Sequence, residues 1–261
     1  MSGAAARADQ PLIRFSRVAL AFAGREILRA IDLEIRRGEI VSLVGPSGCG
    51  KTTALRIATG LLAPTSGTIA FDGAPILGPR RDVAIVFQDY GKALLPWRDA
   101  AGNVALALEA AATPRRERPA RIAALLDKVG LPAHADKYPA QMSGGMQQRL
   151  QIARCLAQEP AALMMDEPFG ALDAMTRQGL QDEMLEIARG AKATIFFVTH
   201  DLEEAIYVGD RVIGLAPHPG RIGIELRIGL PRPRDQIATR EDPEFLRLRR
   251  ELHDFIKSAE R

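Results

Sequence analysis

Residues Gly45 to Thr52 read G-P-S-G-C-G-K-T. Glycines at 45, 48 and 50 let a backbone turn successive N–H groups inward around an anion. A helix starting where this run ends would aim the positive end of its dipole at the same point. Lys51 adds a compact charge for the outer oxygens of a phosphate chain, and the Thr52 hydroxyl is a hard ligand for Mg2+. The flanks fit this use. Glu39 to Val44 (E-I-V-S-L-V) is β-branched and apolar, as a buried strand requires, and Thr53 to Gly60 suits a helix that stops at glycine. The ligand implied is a nucleotide.

A second set of residues supplies carboxylates. Leu163 to Met165 is apolar and predicts a buried strand that delivers Asp166 and Glu167 to its exit. Side chains alternate along a strand, which would send the two carboxylates to opposite faces. Pro168 ends the ladder and is expected to bend the chain, so that both can serve one site. Asp166 is then the group to hold Mg2+ through water, and Glu167 the group to orient or deprotonate an attacking water.

Ser143, Gly144 and Gly145 precede a helix predicted for Met146 to Gln158, whose first N–H groups are again open to an anion. On its own, S-G-G is usually a plain capped loop. In a chain that already carries one phosphate cradle, a second socket makes sense if it closes on the outer phosphate held by another copy.

The elements that must position these groups follow from texture. Residues 1–10 read as disordered. Alternating stretches such as L-I-R-F and I-D-L-E-I lead as strands into the one before the glycine loop. From about Asn103 to Gln158 the chain is rich in Ala, Leu and Arg at helical spacing, which predicts a helical subdomain inserted into an α/β core. From Pro160 strands and helices alternate again, with a helix from Ala174 to Arg189, the strand T-I-F-F-V, a short helix from Asp201 and the strand R-V-I-G-L. Asp242-Pro243 starts a last helix, whose Phe245, Leu248, Leu252, Phe255 and Ile256 share one face expected to pack on the chain's own body. We expect no further regulatory domain after it.

With 261 residues, 47% of them hydrophobic, the chain can bury one good core and a smaller lobe. No stretch nears the ~20 apolar residues of a spanning helix, and the N-terminus lacks a signal peptide's apolar core. A soluble, cytoplasmic protein is expected. Cys49 and Cys155 fit a reducing compartment. Cys49, inside the glycine loop, is expected to be open to alkylation, its pKa lowered by the helix terminus. The net charge of +3 is small, and the arginines after Pro231 are interspersed with Asp and Glu, so the tail reads as a solvated face. No nucleic-acid partner is expected.

Taken in order, these motifs closely resemble those of the ATP-binding subunits of ABC transporters, over nearly the whole length. Gly45 to Thr53, including Pro46, Ser47, Cys49 and Thr53, resembles the Walker A loop; Leu163 to Glu167 is similar to Walker B; and Ser143 to Arg149, with Gln147, to the signature motif. Gln88 in V-F-Q-D resembles the Q-loop glutamine, Ala171-Leu172-Asp173 the D-loop, and His200 in V-T-H-D the switch histidine. Phe22 stands where the family keeps an aromatic against adenine; the alternative is a core phenylalanine at a strand end. Two departures are Met142, where the family usually has leucine, and a slightly longer D-Y-G-K-A-L-L-P-W segment after Gln88.

The resemblance implies an α/β P-loop NTPase core of the ABC ATPase type, with an N-terminal antiparallel β subdomain and an inserted helical subdomain. The boundaries drawn from the sequence are 11–88 and 159–230 for the core, 89–158 for the helical part with the signature motif, and 231–261 for the C-terminal tail and helix, all one ABC ATPase domain. It implies ATP and Mg2+ as ligands, with catalytic roles for Glu167, His200 and Gln88. Thr52, Asp166 and Gln88 would lie around the metal, and Asp173 near the nucleotide. It also implies an ATP-dependent homodimer, membrane-spanning permease subunits and, indirectly, a periplasmic solute-binding protein, with this chain peripheral on the inner face of a bacterial membrane.

Leu94-Leu95-Pro96-Trp97, P-H-P-G-R-I and L-P-R-P-R-D resemble ATPases of the nitrate, sulfonate and taurine uptake group. Trp97 is read as a contact for the membrane partner, with a core aromatic as the alternative. A DNA-associated ATPase of the same superfamily would interrupt the motifs with coiled coils or zinc modules, and neither heptads nor a CxxC pair occur here. An exporter subunit is the milder alternative.

Overall fold

The computed structural model describes residues 10–170, 172–191 and 193–259. The disorder expected at the N-terminus falls almost entirely on residues outside this range, as does Ala171. In chain order come β1 (Ile13–Phe22), β2 (Arg25–Ile35), β3 (Ile40–Val44), α1 (Lys51–Ala58), β4 (Ser66–Phe71), β5 (Ala74–Pro75), β6 (Val83–Val86), α2 (Tyr90–Ala93), α3 (Ala100–Ala110) and α4 (Arg118–Lys128). These are followed by α5 (Gly144–Leu156), β7 (Ala162–Asp166), α6 (Ala174–Ala191), β8 (Thr194–Val198), α7 (Leu202–Val208), β9 (Arg211–Ala216), β10 (Arg221–Arg227), α8 (Ala238–Glu241) and α9 (Pro243–Ala259). They form two compact units, one from the described residues within 1–80 and 192–261, the other from those within 81–191.

In the first unit, β1 pairs antiparallel with β2 and with β4, and β4 with β5, giving a four-stranded antiparallel sheet. The alternation that predicted these strands puts Ile13 and Phe15 on the buried face, and the Phe15 ring meets Phe196 of β8 with centroids 6.3 Å apart. β3 is buried at all five positions because it lies between two parallel partners, β8 and β9, while β10 pairs antiparallel with β9. A strand so placed reads as a continuous apolar run, which is how E-I-V-S-L-V reads.

The tail and last helix close this unit. α9 buries Phe245, Leu248 and Leu252 and packs on α7, β9 and β10. Phe255 lies on the strand glycines, where a Cβ added to Gly223 would fall 2.5 Å from its ring. Two of the tail arginines depart from the solvated face expected, while Arg247, Arg249 and Arg250 are exposed as expected. Arg234 donates to the carbonyls of Ile206, Tyr207 and Gly209, and Arg232 to that of Val208 at 3.3 Å and to the Asp210 carboxylate at 2.6 Å. These carbonyls are the ones α7 leaves open at its C-terminus, where a cation is also favoured by the helix dipole. Burial pulls the Arg234 guanidinium down to about 10, with the charge of Arg232 as the next cause. Their pairing is tertiary, so composition gave no sign of it.

In the second unit β6 and β7 pair in parallel from Val83↔Ala162 to Val86↔Met165. α5 packs on β6 and on α2, α3, α4 and α6. The helices expected between Asn103 and Gln158 are α3, α4 and α5, with α3 capped by Asp99, which accepts the Gly102 N–H at 2.7 Å.

If Phe255 sets the space above Gly223, Gly223→Ala alone should cost about 1–3 kcal/mol by overpacking. In a Phe255→Ala background it should cost much less. Urea denaturation of the four chains measures this; equal costs in both backgrounds would place the clash elsewhere.

Candidate active site

In the first unit, the loop from Gly45 to Gly50 joins buried β3 to α1. Gly50 is the N-cap of α1 with φ +100, a left-handed conformation, and a Cβ there would stand 2.6 Å from Leu28 Cδ2. Gly48 is also left-handed, with φ +77. Both glycines therefore answer to backbone demands, as the spacing predicted. Lys51 is buried, and its ammonium donates to the carbonyls of Gly45 at 2.7 Å and Pro46 at 3.0 Å, which holds it over the loop. Pro46, Ser47, Thr52 and Thr53 are all partly or fully exposed around it. α1 ends at Ala58, capped by Thr59, two residues before the predicted Gly60.

The Cys49 expectation is overturned. Its thiol is buried, and burial pushes its pKa above the ordinary value despite the nearby Lys51 charge. The helix terminus favours the backbone around it, but a thiolate here would lose its water. Cys155 is likewise buried and pushed up to about 12.

β3 and β8 run in parallel register from Ile40↔Ile195 to Leu43↔Val198, so their exits lie side by side. One exit carries Gly45. The other carries Thr199, whose N–H donates to the Leu43 carbonyl at 3.1 Å, and then exposed His200. His200 is braced from below: Asp201 caps α7 by accepting from Glu203 and Glu204 N–H groups at 2.9 and 3.1 Å, and the Thr199 hydroxyl donates to Glu204 at 2.7 Å. Phe22 ends β1 opposite Arg25 and is 77% exposed, so it is not a core phenylalanine.

In the second unit β7 is buried through Met165 and surfaces at Asp166 and Glu167. The bend that the sequence placed at Pro168 falls at Glu167 itself, whose φ is +46. A left-handed non-glycine residue costs of order 1–3 kcal/mol, and it breaks the strand alternation that would have pointed the two carboxylates apart. Gln88 is exposed just past β6, and its Nε2 donates to Glu167 Oε2 at 2.9 Å. The structure thus joins two residues 79 positions apart in sequence.

Ser143 is the N-cap of α5, its hydroxyl accepting the Met146 N–H at 3.3 Å, so the helix begins two residues before the predicted Met146. A Cβ on Gly145 would fall 2.7 Å from Thr176 Cγ2, so this glycine lets α5 approach α6. Gln147 turns back, donating to the carbonyls of Pro139 at 2.9 Å and Met142 at 3.3 Å, and stiffens the loop before Ser143. Met142 is buried, as a leucine substitute would be. Asp173 caps α6, accepting the Thr176 N–H at 3.0 Å, and the hydrogen bonds from Thr176 hold its carboxyl below the usual range.

A family model described as ABC transporter matches residues 28–170. The chain belongs to the ABC transporter family. Its enzymatic activity is that of an ABC ATPase. It is 47% identical over 227 residues to an uncharacterised ABC transporter ATP-binding protein of Methanocaldococcus jannaschii, covering 87% of this chain and 83% of that one. It is 48% identical over 218 residues to an aliphatic sulfonates import ATP-binding protein of Xanthomonas axonopodis pv. citri, covering 83% and 86%. Identity to the nitrate import ATP-binding protein of Synechococcus elongatus is 45% over 237 residues, which is 90% of this chain but 36% of that longer protein. Among solved structures, a dimeric ATP-binding cassette bound to ADP and Pi in a post-hydrolysis state superposes with a TM-score of 0.72 at 31% identity, covering 83% of this chain and 98% of the cassette. The fold is that of these cassettes, and among the described residues no helix is long and apolar enough to cross a membrane.

Sequence reasoning missed Gln151. It lies on the inward face of α5, fully buried, on a stripe that also carries buried Gln148, and its only signal was a glutamine four residues before Cys155.

Both thiols being buried and protonated, a disulfide reagent at pH 8 should react with neither at the rate seen after unfolding in guanidinium. Prompt modification of Cys49 in the folded chain would contradict the burial.

Proposed function

We propose that this chain is the ATP-hydrolysing subunit of an import system for a small solute such as nitrate, a sulfonate or taurine. The observation that carries the reading is that one chain holds two anion sockets of different build. One is the β3–α1 loop with Lys51, the other the N-terminus of α5 with Ser143. Two copies facing head to tail would set each loop against the other's Ser143 helix, with two ATP molecules shared between them. The dimeric cassette similar to this chain supports that arrangement, and the relatives named for sulfonate and nitrate import support the direction and the class of solute.

In this reading the loop N–H groups from Gly45 to Thr53 and the Lys51 ammonium hold the phosphates, and exposed Phe22 stacks on adenine. Thr52, Asp166 and Gln88 offer hydroxyl, carboxylate and amide oxygens, a donor set that suits Mg2+. When bound, the ion neutralises phosphate charge. Glu167, turned out of the strand by its left-handed backbone, orients the attacking water or takes its proton. His200 then serves the outer phosphate and Asp173 the nucleotide, the roles that the family resemblance implies.

Trp97 is 71% exposed, so the core-aromatic alternative fails. A large aromatic in water a few residues past Gln88 is a docking residue for the permease, with the periplasmic binding protein on the far side of the membrane. The chain would then sit on the inner face, held by those subunits.

Glu167→Gln should keep ATP binding and lose hydrolysis by roughly 10²-fold or more, because the phosphate cradle survives and proton removal does not. Nucleotide titration together with phosphate release measures both; near-normal turnover would remove Glu167 from this role. Trp97→Ala should leave basal ATPase nearly unchanged and weaken co-purification with the membrane subunits. Loss of folding instead would show that Trp97 serves the core.

A further inference from the structure

The β6–β7 ladder ends at Val86↔Met165, so Phe87 is the first residue past it and must find other partners for its N–H and carbonyl. Gln151 supplies them. With its amide turned so that both ends are satisfied, its oxygen accepts the Phe87 N–H at 2.8 Å and its nitrogen donates to the Phe87 carbonyl at 3.3 Å. A carboxamide bonded to both backbone groups of one residue imitates a further strand. One helical turn on, Cys155 Sγ donates to the Ile85 carbonyl at 3.3 Å. Gln151 and Cys155, four apart on α5, thus grip Ile85 and Phe87, two apart on the extended chain.

Phe87 is bonded to Gln88, and Gln88 donates to Glu167 at 2.9 Å. At its other end the same helix is capped by Ser143. We infer that Gln151 is a positioning residue: it fixes the Phe87 peptide so that Gln88 meets Glu167, and it makes α5 and the Gln88–Glu167 pair one rigid body. A shift of the Ser143 socket on meeting a phosphate is then delivered along α5 to the carboxylate that prepares water. This rests on the reading of Glu167 given under Proposed function.

The test is a double-mutant cycle on the full chain, read by single-turnover ATP hydrolysis so that slow variants stay measurable. Gln151→Leu keeps the side chain's size and removes both hydrogen bonds. It should lower the hydrolysis rate about tenfold, the scale of losing a hydrogen bond that orients a catalytic group, with KM for ATP nearly unchanged. Gln151→Glu retains an acceptor for the Phe87 N–H and should fall between Leu and wild type. In a Gln88→Ala background neither substitution should cost anything further, because Gln151 acts through Gln88. A purely structural role would lower the melting temperature and multiply with Gln88→Ala. That outcome, or a wild-type rate in Gln151→Leu, overturns the inference. If Gln151→Leu does not fold, Gln151→Glu enters the cycle with the same deciding outcomes. Glu167→Gln is run alongside: normal hydrolysis there removes the underlying reading, whereas an inactive Glu167→Gln with independent losses at 151 and 88 overturns the role of Gln151 alone.

Discussion

Backbone amides bind an anion well only if the chain that carries them cannot relax around it, and the rest of this molecule depends on how that stiffness is obtained. β3 is buried at every position between two parallel strands, so Val44 delivers the glycine loop at a fixed place. α1 starts at once behind the loop, and left-handed Gly50 makes the corner. The same pairing brings the exit of β8 beside the exit of β3, and the Thr199 N–H to the Leu43 carbonyl sets the spacing of His200 from the loop. The glycine loop and His200 thus come from one strand register, and Asp201 and Glu204 keep His200 from drifting.

The second unit solves a different problem by strain. A strand that ends in two acidic residues points them apart, and the left-handed turn at Glu167 removes that alternation at a local cost the surrounding packing must offset. Gln88 then holds the carboxylate from the neighbouring strand's end, and α5 holds Gln88 in turn through Gln151. The chain of contacts from the Ser143 cap to Glu167 passes through one helix and two residues just past β6, Phe87 and Gln88. Few soft links lie along it.

Much of this was legible because the physics is local. Three spaced glycines before Lys51, an apolar run ending in Asp166 and Glu167, and Ser143 before a helix each state their own backbone requirement. The expected strands and helices follow, with boundaries displaced by a few residues, as at α5, where the Ser143 cap lets the helix start at Gly144. What failed was nonlocal. Cys49 sits at a helix N-terminus, which favours a thiolate, yet the packing of the loop buries it and burial outweighs the terminus. Arg232 and Arg234 looked like solvated charges and instead close the carbonyl end of α7, more than twenty residues earlier. The exposure of Phe22 and Trp97 decided between readings that the sequence alone left open.

The central claim is that each active site is shared between two copies. Ser143→Arg fills the α5 socket and should leave nucleotide binding at its own loop while abolishing hydrolysis; Lys51→Ala disables the loop itself. Mixing equal amounts of the two chains makes half of the dimers mixed, and each mixed dimer has one site broken twice and one site wild type. ATPase activity should therefore rise from near zero in both parents to roughly a quarter of wild type, if the copies exchange freely and the sites act independently. Full activity in Ser143→Arg on its own would contradict the shared site outright.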